Sequence, residues 1–211
     1  YDGNGNLQTL SRNGAGTVQQ MDDFKYHYAS GRNQLEYVDD IVPTSIYPDD
    51  IEDQSSGNYR YDAIGNLIRD NAEHLIIDWN VAGKVKSIQK TATSELIKFH
   101  YDPTGKRVIK SLTNTTTNKV SSTYYVLDAT GNVMATYTKE ETPPLRGDFK
   151  WESAYVYGSS RIGEERIDTS MAALDNIRNL QIDTWYSYRN RGSKYFELGN
   201  HLGNVLATVS D

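Results

Sequence analysis

Tyr61-Asp62-Ala63-Ile64-Gly65-Asn66-Leu67 repeats Tyr1-Asp2-Gly3-Asn4-Gly5-Asn6-Leu7. The pattern returns at Tyr101-Asp102-Pro103-Thr104-Gly105-Lys106-Arg107 and at Leu127-Asp128-Ala129-Thr130-Gly131-Asn132-Val133. Trp79-Asn80-Val81-Ala82-Gly83-Lys84-Val85 is a variant, and Gly199-Asn200-His201-Leu202-Gly203-Asn204-Val205 is a last copy. Tyr28-Ala29-Ser30-Gly31-Arg32 reads as a shortened one. The pattern is an aromatic residue, Asp or Asn, two variable residues, Gly, Asn or Lys, then an aliphatic residue. The Asp or Asn can accept hydrogen bonds from main-chain N–H groups two residues on. The Gly supplies the positive φ that a short hairpin loop with a bulge requires. Pro103, with φ fixed near −65°, suits the first corner of a type I turn. The pattern therefore predicts a hairpin turn between an incoming strand that ends on the aromatic residue and an outgoing strand that starts on the aliphatic one.

The flanks agree. Ile97, Phe99 and Tyr101 alternate with Lys98 and His100, the period of a half-buried strand. Tyr59 and Tyr61 flank Arg60, and Val133, Ala135 and Tyr137 continue the outgoing side after Gly131. From Gly65 the turn glycines fall at Gly83, Gly105 and Gly131, spacings of 18, 22 and 26 residues. Each spacing accommodates two strands with a turn at both ends. The expected fold is all-β: an antiparallel meander of stacked repeat hairpins forming a curved or spiralling shell segment.

Composition points the same way. Hydrophobic residues make up 37% of the 211, too few aliphatic side chains for a helical bundle. Tyrosine is the surplus, with 16 Tyr against 3 Trp and 4 Phe, and it favours strands with a partly wet face. A net charge of −6 disfavours nucleic acid as a partner. No apolar run approaches the roughly 20 residues of a membrane span. The absence of Cys removes disulfides and thiolate zinc sites but leaves the compartment open. Because the chain begins on a repeat motif, without an initiator Met, it is expected to be a piece of a longer polypeptide.

Three segments break the rhythm. Residues 38–58 hold six acids (Asp39, Asp40, Asp49, Asp50, Glu52, Asp53) and no Lys or Arg. Residues 139–152, with Pro143-Pro144, read as an exposed crossover. Met171, Leu174 and Ile177, behind the caps Asp168 and Ser170, suggest a short helix or ordered loop. The expected organisation is a hairpin array over 1–137 with an acidic insert at 38–58. A loop-rich connection with strands and a short helix near 170–180 follows over 138–194, then a distinct closing stretch at 195–211.

The Tyr-Asp-x-x-Gly-Asn-Leu units resemble the YD repeats of Rhs proteins, bacterial relatives of the teneurin shell. Residues 195–211 resemble the start of the Rhs repeat-associated core in the form common in Bacteroidota, and Tyr157-Gly158-Ser159-Ser160-Arg161-Ile162-Gly163 resembles the stretch preceding that core. The resemblance implies a β-strand spiral that builds a hollow shell around a C-terminal toxin, in a secreted or cell-surface protein. It also implies that the aspartate-dependent self-cleavage motif of the core lies beyond Asp211. Asp102-Pro103-Thr104-Gly105 is superficially similar to that motif but sits at repeat spacing, and reads as a turn.

Candidate chemistry is sparse. Asp2-Gly3-Asn4-Gly5-Asn6 opens like an EF-hand loop, but Leu7 and Asn13 stand where that loop needs Gly and Glu. The acidic run 49–53 could hold Ca²⁺, although such runs are usually solvated loops. His27, His74, His100 and His201 show no metal-ligand spacing, and His74 falls in an expected strand. Glu140-Glu141 and Glu164-Glu165 offer carboxylates, but neighbours on a strand point to opposite faces. Ser159-Ser160 forms no nucleophile elbow. No catalytic residue, cofactor or metal site is assigned. The residues expected to matter are turn formers and their aromatic heads: Tyr1, Asp2, Gly5, Tyr61, Asp62, Gly65, Asn66, Trp79, Gly83, Tyr101, Asp102, Gly105, Asp128, Gly131, Asn132, Asn200, Gly203 and Asn204.

Two functions compete. A non-catalytic shell wall would have as partners the rest of its own polypeptide, a C-terminal effector, and a secretion-machinery or surface component. A surface adhesin or carbohydrate- or protein-binding module would instead present exposed Tyr and Trp. A hydrolase is the least favoured class.

Overall fold

The computed structural model describes residues 1–14, 20–43, 51–172, 194–199 and 205–210. These residues form fifteen β-strands joined in antiparallel hairpins, as the repeat pattern predicts. Two compact units divide the chain, Tyr1–Thr93 and Ser94–Asp211.

In the first unit, β1 (Thr9–Asn13), β2 (Gln20–Tyr28) and β3 (Leu35–Asp40) make a three-stranded sheet. Then β4 (Tyr59–Tyr61), β5 (Leu67–Asp70), β6 (Leu75–Trp79) and β7 (Val85–Lys90) pair in chain order. The second unit continues as a meander of β8 (Glu95–Tyr101), β9 (Arg107–Asn114), β10 (Val120–Leu127) and β11 (Val133–Glu141). It is completed by β12 (Phe149–Tyr157), β13 (Arg161–Ser170), β14 (Lys194–Gly199) and β15 (Val205–Ser210), each paired with its predecessor.

The hydrophobic interior is thin. Among the described residues only Phe24, Val38 and Ala135 are buried apolar side chains, whereas Asp22, Asp40, Gln54, Asn58, Asp70, Ser122, Thr136 and Ser153 are buried polar ones. Cohesion therefore rests on ladder hydrogen bonds and cross-strand pairs more than on a filled core. Tyr137 exemplifies this: it lies opposite both Tyr124 and Trp151, with its ring stacked 6.0 Å from that of Trp151.

Three expectations require correction. Residues 139–152 are not a crossover: β11 runs to Glu141, β12 starts at Phe149, and the two are antiparallel neighbours, so Pro143-Pro144 lies in a hairpin connection. Thr142 and Leu145 bridge within it, and Gly147 lies so close to Glu140 that a Cβ would fall 1.7 Å from the Glu140 carbonyl oxygen. His74 is not in a strand but closes the β5–β6 turn with φ 56°. The acidic insert is not uniformly solvated. Gln54 exchanges hydrogen bonds with the backbone of Val38, its N–H to the Val38 carbonyl and the Val38 N–H to its Oε1, both at 3.0 Å. Asp40 is buried because its Oδ1 accepts the N–H groups of Asp23 and Val42. Residues 44–50, with Asp49 and Asp50, lie outside the described residues, as do 173–180, where most of the expected helix falls.

Candidate functional site

The repeat turn is one structure made five times. In each copy the residue after the head donates its N–H to the carbonyl of the residue four on, and the Gly donates back: Asp2 with Asn6 and Gly5, Asp62 with Asn66 and Gly65, Asn80 with Lys84 and Gly83, Asp102 with Lys106 and Gly105, Asp128 with Asn132 and Gly131. The side-chain Oδ1 of Asp or Asn accepts two further main-chain N–H groups. At Asp62 these come from Ile64 and Asn66 at 3.0 and 2.9 Å, and at Asp128 from Thr130 and Asn132 at 2.8 and 2.9 Å. Where Asn follows the Gly, its Nδ2 fills the other carboxylate oxygen, as Asn66 does at Asp62 (2.9 Å) and Asn132 at Asp128 (2.9 Å). Gly65 adopts φ 94° and Gly105 φ 82°, values that a Cβ disfavours.

The strands leave these turns in a fixed register. First and seventh positions pair: Tyr61 with Leu67, Trp79 with Val85, Tyr101 with Arg107, Leu127 with Val133. One step further the register shifts. His100 pairs with Ile109, for example, so Val108 is an extra residue in a β-bulge that bends the strand.

The head aromatic has a second task that the sequence pattern did not reveal. At Tyr28, Tyr61, Trp79 and Tyr157 the polar atom donates to the main-chain carbonyl of a residue that opens the outgoing side of an earlier hairpin. Tyr28 Oη reaches Leu7 O at 2.9 Å, Tyr61 Oη reaches Leu35 O at 3.0 Å, Trp79 Nε1 reaches Leu67 O at 2.8 Å, and Tyr157 Oη reaches Val133 O at 2.9 Å. An apolar ring carrying one donor is what this position uses, and only Tyr and Trp supply both. The signal was present in the sequence as the tyrosine surplus and its place at repeat heads.

The copy headed by Leu127 breaks this rule, since leucine has no donor. There the preceding seventh position is Arg107, whose guanidinium lies over the rings of Phe99 (5.5 Å) and Tyr125 (5.0 Å). A cation–π contact thus ties β9 to β10 where the hydroxyl tie is missing.

The chemically reactive candidates are occupied by such contacts. All three polar hydrogens near Asp102 Oδ1, from Thr104 N, Thr104 Oγ1 and Lys106 N, bond to it within 2.9 Å, so this Asp-Pro step is a turn. Asp2 is held likewise by Asn4 and Asn6. Glu140 pairs with Lys119, Glu141 with Lys139, Glu164 with Arg166, and Glu165 with Lys194. Ser160 accepts the Gly158 N–H through its carbonyl, within a turn. His27 stacks on Tyr37 at 4.3 Å and bonds Asp39 through Nε2 at 2.7 Å, joining β2 to β3. His100 is in β8. Among the described residues no group of three or more His, Asp or Glu is placed to hold a metal, and no helix is long and apolar enough to cross a membrane. Asn200, His201, Gly203 and Asn204 lie outside the described residues.

Among the described residues a trough of about 960 Å³ lies over β9–β13. Comparison with protein-family models gives no match to this chain, and comparison with curated proteins gives no relative.

Proposed function

We propose that this chain is a non-catalytic wall segment of an Rhs-type YD-repeat shell, which encloses or presents a C-terminal effector in a secreted or cell-surface protein. The observation that carries the reading is the bond from the aromatic residues Tyr28, Tyr61, Trp79 and Tyr157 to a carbonyl of an earlier hairpin. Such a bond joins consecutive repeats rather than stabilising one alone, which is what an extending wall needs. Turn carboxylates that are consumed by main-chain N–H groups, and a thin apolar interior, also suit a wall better than an enzyme. The partners on this reading are flanking repeats, the effector, and a secretion-machinery or surface component.

Limited proteolysis of the natural polypeptide tests it, with intact mass and peptide mapping of the products. The expected result is a chain much longer than 211 residues, whose segment C-terminal to the repeats resists protease until the wall is opened by a Gly65→Val, Gly105→Val, Gly131→Val triple variant. A natural protein ending near Asp211, or a C-terminal segment digested equally fast in both forms, would overturn the proposal.

A further inference from the structure

The dipeptide Asn-Gly occurs at Asn4-Gly5 and at Asn13-Gly14. It is chemically self-reactive, because glycine has no side chain to hinder attack of its nitrogen on the preceding side-chain amide. The two copies stand in opposite surroundings. Asn4-Gly5 lies inside the first repeat turn, where the Gly5 N–H donates to the Asp2 carbonyl at 3.1 Å and the Asn4 N–H to Asp2 Oδ1 at 2.9 Å. Attack by the Gly5 nitrogen on the Asn4 side chain would break both bonds and take Gly5 out of its φ of 83°. The same turn guards Asp2-Gly3. Both Asp2 oxygens accept hydrogen bonds from Asn6, which keep the carboxyl ionised and so a poor target for the Gly3 nitrogen.

Asn13-Gly14 has none of this protection. Asn13 is the exposed last residue of β1, set opposite Gln20 after a register shift between Arg12 and Asn13. Among the described residues no hydrogen bond engages its side chain or the Gly14 N–H.

We propose that Asn13-Gly14 is a self-modifying site, at which the folded chain converts Asn13 to aspartate and isoaspartate with water as the only co-reactant. The Gly14 nitrogen gives its proton to a solvent base and bonds to Asn13 Cγ, the Cγ–Nδ2 bond breaks, and ammonia leaves. Water then opens the cyclic imide. Opening at Cγ gives aspartate, and opening at the main-chain carbonyl gives isoaspartate, which routes the main chain through the side chain and lengthens it by a methylene. The new carboxylate lands beside a buried ion pair. Arg12 Nε donates to Asp22 Oδ2 across β1 and β2, and Asp22 is fully buried, with no hydrogen-bond partner for its Oδ1 among the described residues. A second anion next to Arg12 competes for that cation, and a buried carboxylate that loses part of its counter-ion is costly. Modification therefore loosens β1 from β2, and the site acts as a timer on this sheet edge. It is independent of the shell reading, and either stands without the other.

The test is peptide mapping of the full chain aged in neutral buffer made with heavy-oxygen water. Trypsin cuts after Arg12 and Lys25, which puts Asn4 and Asn13 in different peptides. Label should enter the Asn13 peptide about tenfold faster than the Asn4 peptide, since two hydrogen bonds guard the latter. In the urea-unfolded chain the two rates should converge, and Asp2→Ala should speed Asn4 in the folded chain while leaving Asn13 unchanged. Isoaspartate at position 13, counted with an isoaspartyl methyltransferase, should rise together with hydrogen exchange in 9–13, and Asn13→Gln should abolish both rises. Equal labelling of the two peptides in the folded chain would overturn the inference. So would an Asn13 that stays unlabelled while the unfolded chain reacts. A labelled chain whose β1 exchanges no faster would overturn the timer.

Discussion

Trp79 Nε1 donates to the carbonyl oxygen of Leu67 at 2.8 Å, although twelve residues separate them in sequence and they head and close different turns. Leu67 pairs with Tyr61 across its own hairpin, and Tyr61 in turn donates to Leu35. Leu35, Tyr61, Leu67 and Trp79 thus form a chain of alternating cross-strand pairs and side-chain hydrogen bonds, in which each repeat fixes the position of the next. The arrangement couples neighbours through the backbone, so it needs no deep core between them.

Tyr157→Phe isolates one such bond, because it keeps the ring and removes only the hydroxyl that reaches Val133 O. A half-buried hydrogen bond of this kind contributes about 1 kcal/mol. Urea unfolding should show a loss of that size with an unchanged slope, and no loss would mean that water replaces the hydroxyl without cost.

Gly105→Val should destabilise the chain by about 1–2 kcal/mol, since φ 82° places a β-branched side chain against its own carbonyl. At the other end of the hairpins the reverse holds. Ser94 sits at φ 57° without being glycine, so Ser94→Gly removes strain there. Calorimetry should show a lower melting temperature for the first variant and an equal or higher one for the second. Opposite signs from these would remove the backbone argument.

The two ends of each hairpin also differ in how well the sequence announces them. The repeat-motif turns carry glycine at the left-handed position and an Asx acceptor before it, so their chemistry is visible in one dimension. The opposite turns place His74, Ser94 and Asn118 at positive φ, where residue type gives little warning. There the geometry is held by the next hairpin. Thr91 donates both N–H and Oγ1 to the His74 carbonyl, and Thr115 does the same to Ser94. Pro143-Pro144 misled for a related reason, since proline signals a break but not how far the flanking strands extend. The bond from the head aromatic was hidden because it joins a residue to a carbonyl whose identity depends on which hairpin packs beside it. The buried part of the acidic insert was hidden too, because Gln54 and Asp40 find main-chain partners that composition cannot show. The trough emerged only with strand register, since no motif groups Thr123, Thr138 and Ser153.

The turn aspartates predict a pH dependence. Asp128 is held well below the usual carboxylate range by donation from the side chains of Asn132 and Thr130 and the Asn132 N–H. Asp2 is lowered mainly by the Asn6 side chain and Asp102 by the Thr104 hydroxyl. At Asp62 burial raises the value, but donation from Asn66 and Ile64 outweighs it. A carboxyl whose folded pKa is depressed stabilises the fold above its unfolded value, about 3.9, and that contribution disappears as pH falls through the folded value. The melting temperature should therefore stay level down to about pH 5 and drop below about pH 4. Asp128→Asn should fold, because Asn80 already serves a turn through its Oδ1, and it should lose less stability between pH 5 and pH 2 than the unsubstituted chain. An equal acid loss in both would show that Asp128 is not among the groups responsible.

Gly163 has no turn to make, yet a Cβ there would lie 2.3 Å from the Tyr195 carbonyl oxygen and 3.2 Å from the Phe196 Cα. Its cross-strand partner on β14 is Phe196. Gly163→Ala should therefore push β13 and β14 apart. Hydrogen exchange should rise in 194–199 while 107–141 stays protected, and uniform protection in both segments would show that the strands absorb the methyl group.

Leu127 offers the complementary test, because among the heads of the five repeat turns it alone lacks a polar side-chain atom. By analogy with Trp79 and Leu67, a donor at position 127 would face the carbonyl of Arg107, the residue paired with Tyr101 across the preceding turn. Leu127→Tyr should supply that bond and raise stability by about 1 kcal/mol, a shift of a few degrees in melting temperature for a chain of this size. Leu127→Phe adds the ring without the hydroxyl and separates the two contributions. If both variants melt together, the gain belongs to ring burial, and the hydrogen bond to the preceding hairpin is not what selects tyrosine at the head of the repeat. If only the tyrosine variant gains, the cation–π contact of Arg107 with Tyr125 and the hydroxyl tie act side by side, and the Leu127 copy is the weakest joint among the described repeats.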